Sequence, residues 1–261
     1  MKKFLTLVIV LSAFIGTAQR TMFGAQNNYV PATAGGAPTG STSIVTTDLL
    51  LYLDADNPAS YPGTGNIWYD LSANLNHGTL ATSAMANTSS TPKRFSFNGT
   101  TGNNASFVSS KFNTPYTGKT MMFAAKMDAN FGTNLYRALF GNTGTRNFNF
   151  YIYNNGSGYQ LHFSAAGWGW LSNVIPIVTG QWYIFASTQD ANTVKFYLNG
   201  ALVGTTTSTP LYQYQSSSAE FLGNADNYWL GDVNTALIYK RGLSEAEILQ
   251  NFNALKDRFG L

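Results

Sequence analysis

Hydrolysis of a glycosidic bond needs two carboxyl groups facing each other, about 5–5.5 Å apart when configuration is retained. On an extended segment this chain offers one i, i+2 carboxylate pair, Asp54 and Asp56. Residues two apart on a strand share a face, but Asp54-Ala55-Asp56-Asn57-Pro58 reads as a strand exit and turn. There are three glutamates, and two of them, Glu245 and Glu247, fall in a helical pattern. The third, Glu220, has Leu222 where an acid partner would stand. The chain has no cysteine, so it has no thiol nucleophile, and its two histidines, His77 and His162, have no Gly-x-Ser-x-Gly partner. Neither a His-Glu-x-x-His zinc motif nor a phosphate loop is present. The expectation is that the protein is not an enzyme.

Binding chemistry is better supplied. Sugar sites use aromatic faces against the apolar side of a pyranose ring, with amides and carboxylates meeting the hydroxyls. The densest run of these types is Asn147 to Trp170. One face of its outgoing strand carries Phe148, Phe150 and Ile152; the other carries Asn147, Asn149, Tyr151 and Tyr153. On the return strand Leu161 and Phe163 point inward, while Gln160 and His162 join the polar face. Trp168-Gly169-Trp170 follows. The expected ligand-binding residues are Asn149, Tyr151, Tyr153, His162, Trp168 and Trp170. Trp68, Trp182 and Trp229 are assigned to structure.

A metal is the second candidate. Asp70-x-Ser72-x-Asn74-x-Asn76 places oxygen side chains at every second position, the start of a calcium-loop spacing. Asp70, Asn74 and Asn76 are thus expected metal ligands for a structural Ca²⁺, with Asp232 completing the site if the first and last strands are neighbours. The alternative is a string of Asx turns that needs no ion: Leu75 stands where glycine would ease the loop and Ala81 where a bidentate acid is wanted.

These residues need a scaffold. Lys2 and Lys3 precede an apolar run ending at Gly16-Thr17-Ala18, which reads as a secretory signal peptide over 1–18, cleaved near Ala18. Removing it leaves 13 cationic against 12 anionic residues, a net charge of +1 that argues for no nucleic-acid partner. No later stretch suits a membrane span. Charged residues make up 10% of the chain, against about 25% in ordinary globular domains. Residues 19–47 are rich in Gly, Ala, Thr, Pro and Asn, and read as a flexible linker or tail. The folded domain is expected over 48–261. It opens with Leu49 to Leu53, apolar enough to be covered on both faces, and continues as short strands broken by Asn-Gly and Gly-rich turns. Trp182 to Thr188, Thr193 to Leu198 and Ala201 to Thr205 form successive hairpins, and Leu230 to Tyr239 closes the sheet. One amphipathic helix follows, with Ser244 and Glu247 as a capping box and Ile248, Leu249, Phe252, Leu255 and Phe259 on one face. It is expected to pack on the sheet or its edge. Strands at this spacing predict an all-β, antiparallel, two-sheet sandwich or jelly roll with one short C-terminal helix.

Val194-Lys195-Phe196-Tyr197-Leu198-Asn199-Gly200-Ala201-Leu202-Val203-Gly204 resembles the Asn-Gly hairpin of laminin-G-like domains in the concanavalin A-like lectin/glucanase superfamily. Gly231-Asp232-Val233 with Ala236 to Ile248 is similar to that family's closing strand and helix. Phe95 to Gly99 is similar to its early strand and turn, and Leu51 to Ala55 with Trp68 to Ser72 and Asn76-His77-Gly78 to its opening. The resemblance covers about Asp48 to Leu261 and implies a concanavalin A-like jelly roll. Glucanases of that fold carry Glu-x-Asp-x-x-Glu on one strand, which is missing here. Fold alone does not assign function. The reading is a secreted, non-catalytic module for carbohydrate or a surface glycoconjugate. The alternatives are a structural or adhesive domain with a protein partner, on a surface or a virion, and, third, a glycoside hydrolase.

Overall fold

The computed structural model describes residues 43–107, 112, 118–142, 149–165, 168–207, 220–223 and 228–261, with backbone alone at 142, 165, 168–171, 220 and 221. The expected signal peptide and residues 19–42 of the expected linker lie outside the described residues.

In chain order the strands are β1 (Leu49–Asp54), β2 (Ile67–Trp68), β3 (Gly78–Leu80), β4 (Ala86–Asn87), β5 (Arg94–Asn98), β6 (Ala105–Phe107), β7 (Gly118–Met127) and β8 (Leu135–Asn142). They continue as β9 (Asn149–Asn154), β10 (Tyr159–Ala165), β11 (Trp168–Leu171), β12 (Trp182–Asp190), β13 (Thr193–Leu198), β14 (Ala201–Thr207), β15 (Glu220–Leu222) and β16 (Leu230–Tyr239). A 3₁₀ turn spans Ser83–Met85. Helix α1 (Glu245–Leu255) runs into a closing 3₁₀ turn, Lys256–Phe259.

Two eight-stranded sheets form, paired antiparallel. The first has the order β14-β13-β12-β7-β16-β5-β4, with β1 also on β16. The second has the order β11-β10-β9-β8-β15-β6-β3-β2. The expected two-sheet jelly roll is therefore what the chain builds. One detail differs: β16 does not close a sheet but runs through its middle. Its far edge is β7, and its near edge is shared by β5 over Leu230–Val233 and β1 over Thr235–Tyr239. The change of partner falls at Asn234, where the register slips by one residue and a bulge bends the strand.

The main core lies between the sheets. Trp68, Phe95, Phe123, Phe150, Phe185 and Trp229 are fully or almost fully buried in it; each such side chain contributes about 1.5–3 kcal/mol by leaving water. A second core covers the opposite face of the first sheet, where Ile248 and Leu255 of α1 meet Met122, Ala124, Ile184 and Leu237. Central strands of that sheet are thus buried on both sides, which is why Leu49–Leu53 of β1 and Met121–Ala125 of β7 read as unbroken apolar runs. The helix packs on the sheet as expected, and the Ser244–Glu247 capping box is present. Asn251 is an unexpected member of its inner face. Fully buried, it accepts from Val45 N at 2.9 Å and donates to the Tyr239 hydroxyl at 2.9 Å. Val45 is itself buried, and Ile44 packs beside it. The folded body consequently starts before Asp48: residues 43–47 belong with the helix rather than with the linker.

The β13–β14 hairpin turns through Asn199 (φ 50°) and Gly200 (φ 77°), the left-handed pair of a two-residue hairpin. A Cβ on Gly200 would lie 2.9 Å from the Phe252 ring, so backbone conformation and helix contact demand glycine together.

Candidate functional site

Strands β8, β9 and β10 bring one aromatic cluster to the face of the second sheet that points away from the core. The register pairs Tyr136 with Tyr153 and Tyr153 with Gln160; one step along, it pairs Ala138 with Tyr151 and Tyr151 with His162. The alternate residues Phe150, Ile152, Leu161 and Phe163 point into the core as expected. Tyr136 and Tyr153 stack with ring centroids 4.2 Å apart and planes 15° from parallel. His162 lies 5.0 Å from Tyr136 and 5.4 Å from Tyr151. Gln160 is oriented by its neighbours: Nε2 donates to Ser172 O at 2.8 Å, and Oε1 accepts from Asn155 Nδ2 at 3.3 Å.

Two levels are visible in this cluster. Tyr136, Tyr153, His162 and Gln160 are half-buried and form the accessible surface. Tyr151 is 4% exposed and Asn149 is fully buried, so these two are a floor rather than the open row expected from strand alternation. Asn149 Nδ2 donates to the Tyr151 hydroxyl, and the Tyr151 ring meets Tyr136 edge-on at 6.0 Å. Tyr136 escaped the sequence reading. Its signal was the Gly132-Thr133-Asn134 turn before it, in which Asn134 takes φ 55°.

Register separates the expected Trp168 and Trp170 from this cluster. Trp170 pairs with Phe163 and Trp168 with Ala165, whereas His162 pairs with Leu171. The side chains of Trp168 and Trp170, like Asn147 and Phe148, lie outside the described residues.

The Asp70 turn is a closed hydrogen-bond array. Asp70 Oδ1 accepts from Tyr52 N at 2.8 Å and Ser72 N at 2.9 Å, and Oδ2 from Ser72 Oγ at 2.7 Å and Asn76 N at 2.8 Å. A carboxylate has about four lone-pair sites, and all are used. Asn74 and Asn76 donate from Nδ2 to Leu49 O and Leu50 O, stitching the turn to β1. Asn76 Oδ1 is the one buried acceptor of this set without a donor, against the six to eight oxygens calcium takes. Strands β1 and β16 are neighbours as supposed, yet Asp232 does not join the turn. It sits five residues along β16 from Leu237, the partner of Tyr52, roughly 16 Å away by strand rise. Lys126 Nζ at 2.8 Å and Arg94 Nε at 3.0 Å occupy its Oδ2. Among the described residues no group of three or more His, Asp or Glu side chains is placed to hold an ion. The donor set does not fit a calcium ion.

Asp54 and Asp56 line an open cleft of about 660 Å³ between β1, the turn after it and the chain's C-terminal turn. Arg258 Nη1 lies 2.7 Å from Asp54 Oδ1 and 3.7 Å from Asp56 Oδ2. Asp56 also accepts from Lys93 N and Asn234 Nδ2. Burial, reinforced by the Asp54 carboxylate, pushes the neighbouring Tyr52 phenol well above its ordinary pKa. Both carboxylates are committed to one arginine and the β16 bulge.

Comparison with known proteins agrees with this architecture. A laminin G family model, described as the concanavalin A-like lectin/glucanases superfamily, matches residues 98–249. The chain belongs to that superfamily, as a laminin-G-like domain. No curated protein sequence matches it. Among solved structures, domain 4 of an extracellular arabinanase from Geobacillus stearothermophilus, in complex with arabinotriose, aligns with TM-score 0.57 at 16% identity, over 78% of this chain and 98% of that one. The botulinum neurotoxin serotype D ligand-binding domain, in complex with N-acetylneuraminic acid, aligns with TM-score 0.62 at 12% identity, over 81% of this chain and 52% of that one. A Trypanosoma rangeli sialidase aligns with TM-score 0.55 at 15% identity, over 88% of this chain and 36% of that one. The chain thus spans about half of the toxin domain and about a third of the sialidase. At such identities the shared property is the fold. Among the described residues no helix is long and apolar enough to cross a membrane.

Proposed function

We propose that this protein is a secreted, non-catalytic carbohydrate-binding module whose ligand rests on the outer face of the second sheet. The observation that carries the reading is the stacked Tyr136–Tyr153 pair, half-buried beside His162 and the oriented Gln160 amide. Stacking closes the facing sides of the two phenols, so the pair offers a sugar ring edges, two hydroxyls and an outer ring face beside the Gln160 amide. Tyr151 and Asn149 act beneath it as support. Saccharides bound to the arabinanase domain and to the toxin domain, both of this fold, support the class of ligand. The commitment of Asp54 and Asp56 to Arg258 supports binding without hydrolysis. Export rests on the 1–18 leader pattern, with the domain following the 19–42 tail.

Affinity electrophoresis through gels containing arabinan, xylan or β-glucan tests the proposal. Retardation by at least one of these that is lost in a Tyr136→Ala/Tyr153→Ala variant is expected. A wild-type mobility identical in every gel would count against it.

A further inference from the structure

Away from that face, the helix-bearing side of the first sheet is covered only in part. The register aligns Ser96 (β5), Asp232 (β16), Lys126 (β7) and Trp182 (β12) as direct neighbours across four strands. Their alternates Phe95, Val233, Ala125 and Met127 enter the inter-sheet core, so this row faces outward beside α1. It runs roughly 14 Å, three inter-strand spacings. Ser96 is exposed and Trp182 half-buried, although the sequence reading gave Trp182 a purely structural role.

The chemistry of the row is specific. Asp232 accepts from Ser96 Oγ at 2.7 Å and holds both Arg94 Nε (3.0 Å) and Lys126 Nζ (2.8 Å). One carboxylate faces two cations, and the cluster keeps a net positive charge. Both cationic side chains retain access to solvent, 23% for Arg94 and 25% for Lys126. Lys126 Nζ stands 5.5 Å from the Trp182 ring centre, and Phe259 supports that ring from the C-terminal turn at 5.0 Å. Arg94 stands two residues along β5 from Ser96 on the same face, and Asn87 pairs with it, adding an amide beside the row. A guanidinium, an ammonium, a hydroxyl, an amide and an indole gathered on one face match a chain of sugars that carry negative charge.

We infer that this row is a second binding site, for an acidic polysaccharide. The sugar carboxylate or sulfate lies between Arg94 and Lys126, and a ring lies against the exposed part of Trp182. Asp232 holds both cations and offsets part of their charge, so it competes with the ligand's anion for them. The site is independent of the Tyr136–Tyr153 face and takes a differently charged ligand.

Titration of the full chain with polygalacturonate, with uncharged dextran as control, tests the inference. Wild type binds polygalacturonate but not dextran, and affinity falls as salt rises. Lys126→Met and Arg94→Met each weaken binding about fivefold, the effect of one exposed ion pair. Asp232→Asn tightens it, because the net charge rises, whereas a structural role for Asp232 would leave affinity unchanged or reduce it. Thermal melting of each variant confirms that it is folded, and Tyr153→Ala binds polygalacturonate as wild type does. Failure of wild type to bind, wild-type affinity in both cation variants, unchanged or weaker binding by Asp232→Asn, or loss of binding in Tyr153→Ala would each overturn the inference.

Discussion

Arg258, in the last turn of the chain, donates from Nη1 to Asp54 Oδ1 at 2.7 Å and so ties the C-terminus to the end of the first strand, 204 residues earlier. The same nitrogen reaches Asn234 Oδ1 at 3.2 Å, at the point where β16 changes partner from β5 to β1. Asp54 is 2% exposed, and its other oxygen accepts from the Tyr52 hydroxyl. The two carboxylates that a sequence reader would test first for catalysis are therefore the anchor of the helix that covers the sheet.

Removing the cation should expose that role. Arg258→Met leaves Asp54 buried without its charge partner and is expected to cost about 2–3 kcal/mol, below the full cost of breaking a buried pair because the guanidinium is part-exposed. A urea titration checks this. An unchanged midpoint would mean that the pair contributes nothing.

Acid should loosen the start of the helix. Glu247 is held at a pKa of about 2, first by the Arg241 guanidinium and then by Ser244, against an ordinary 4.5. A carboxyl whose folded pKa lies below its unfolded one adds stability that is complete above about 4.5 and is lost as pH falls through about 2. Stability should thus decline between those two values, and Glu247→Gln should flatten that part of the profile. Denaturant midpoints measured from neutral pH to pH 2 decide it. An equal slope in both proteins would contradict the assignment.

The Asp70 turn is expected to hold without a metal. Asp70→Ala strips three backbone N–H groups of their acceptor and should cost about 3 kcal/mol. Calcium at about 100 times its Kd would add about 2.7 kcal/mol to a protein with a site for it. Melting curves in millimolar calcium and in EDTA are expected to coincide; a higher Tm with calcium would restore Asp70, Asn74 and Asn76 as ligands.

Much of this was legible in the sequence, for physical reasons. Period-2 alternation placed Phe150, Ile152, Leu161 and Phe163 in the core, and Asn199-Gly200 marked a hairpin that needs two left-handed residues. Ser244 and Glu247 announced the helix start. Alternation reports which side of a sheet a residue faces and not what lies over that side, so Tyr151 and Asn149 read as surface and prove buried. Strand order is equally silent in a linear pattern. Tyr136 joins Tyr153 across neighbouring strands, and Asp232 joins Lys126 rather than Asp70 through a pairing between segments far apart in the chain. Val45 was hidden for the same reason, because its burial depends on Asn251 and Tyr239, about 200 residues away.

The most direct test of the central claim is a glycan-array screen of wild type beside the Tyr136→Ala and Tyr153→Ala single variants. The expected result is wild-type binding to a restricted set of glycans, with each variant weakened at least tenfold, a loss of about 1.4 kcal/mol. Binding that survives in both variants, or no binding by a folded wild type, would contradict the assignment of the Tyr136–Tyr153 face as a carbohydrate site.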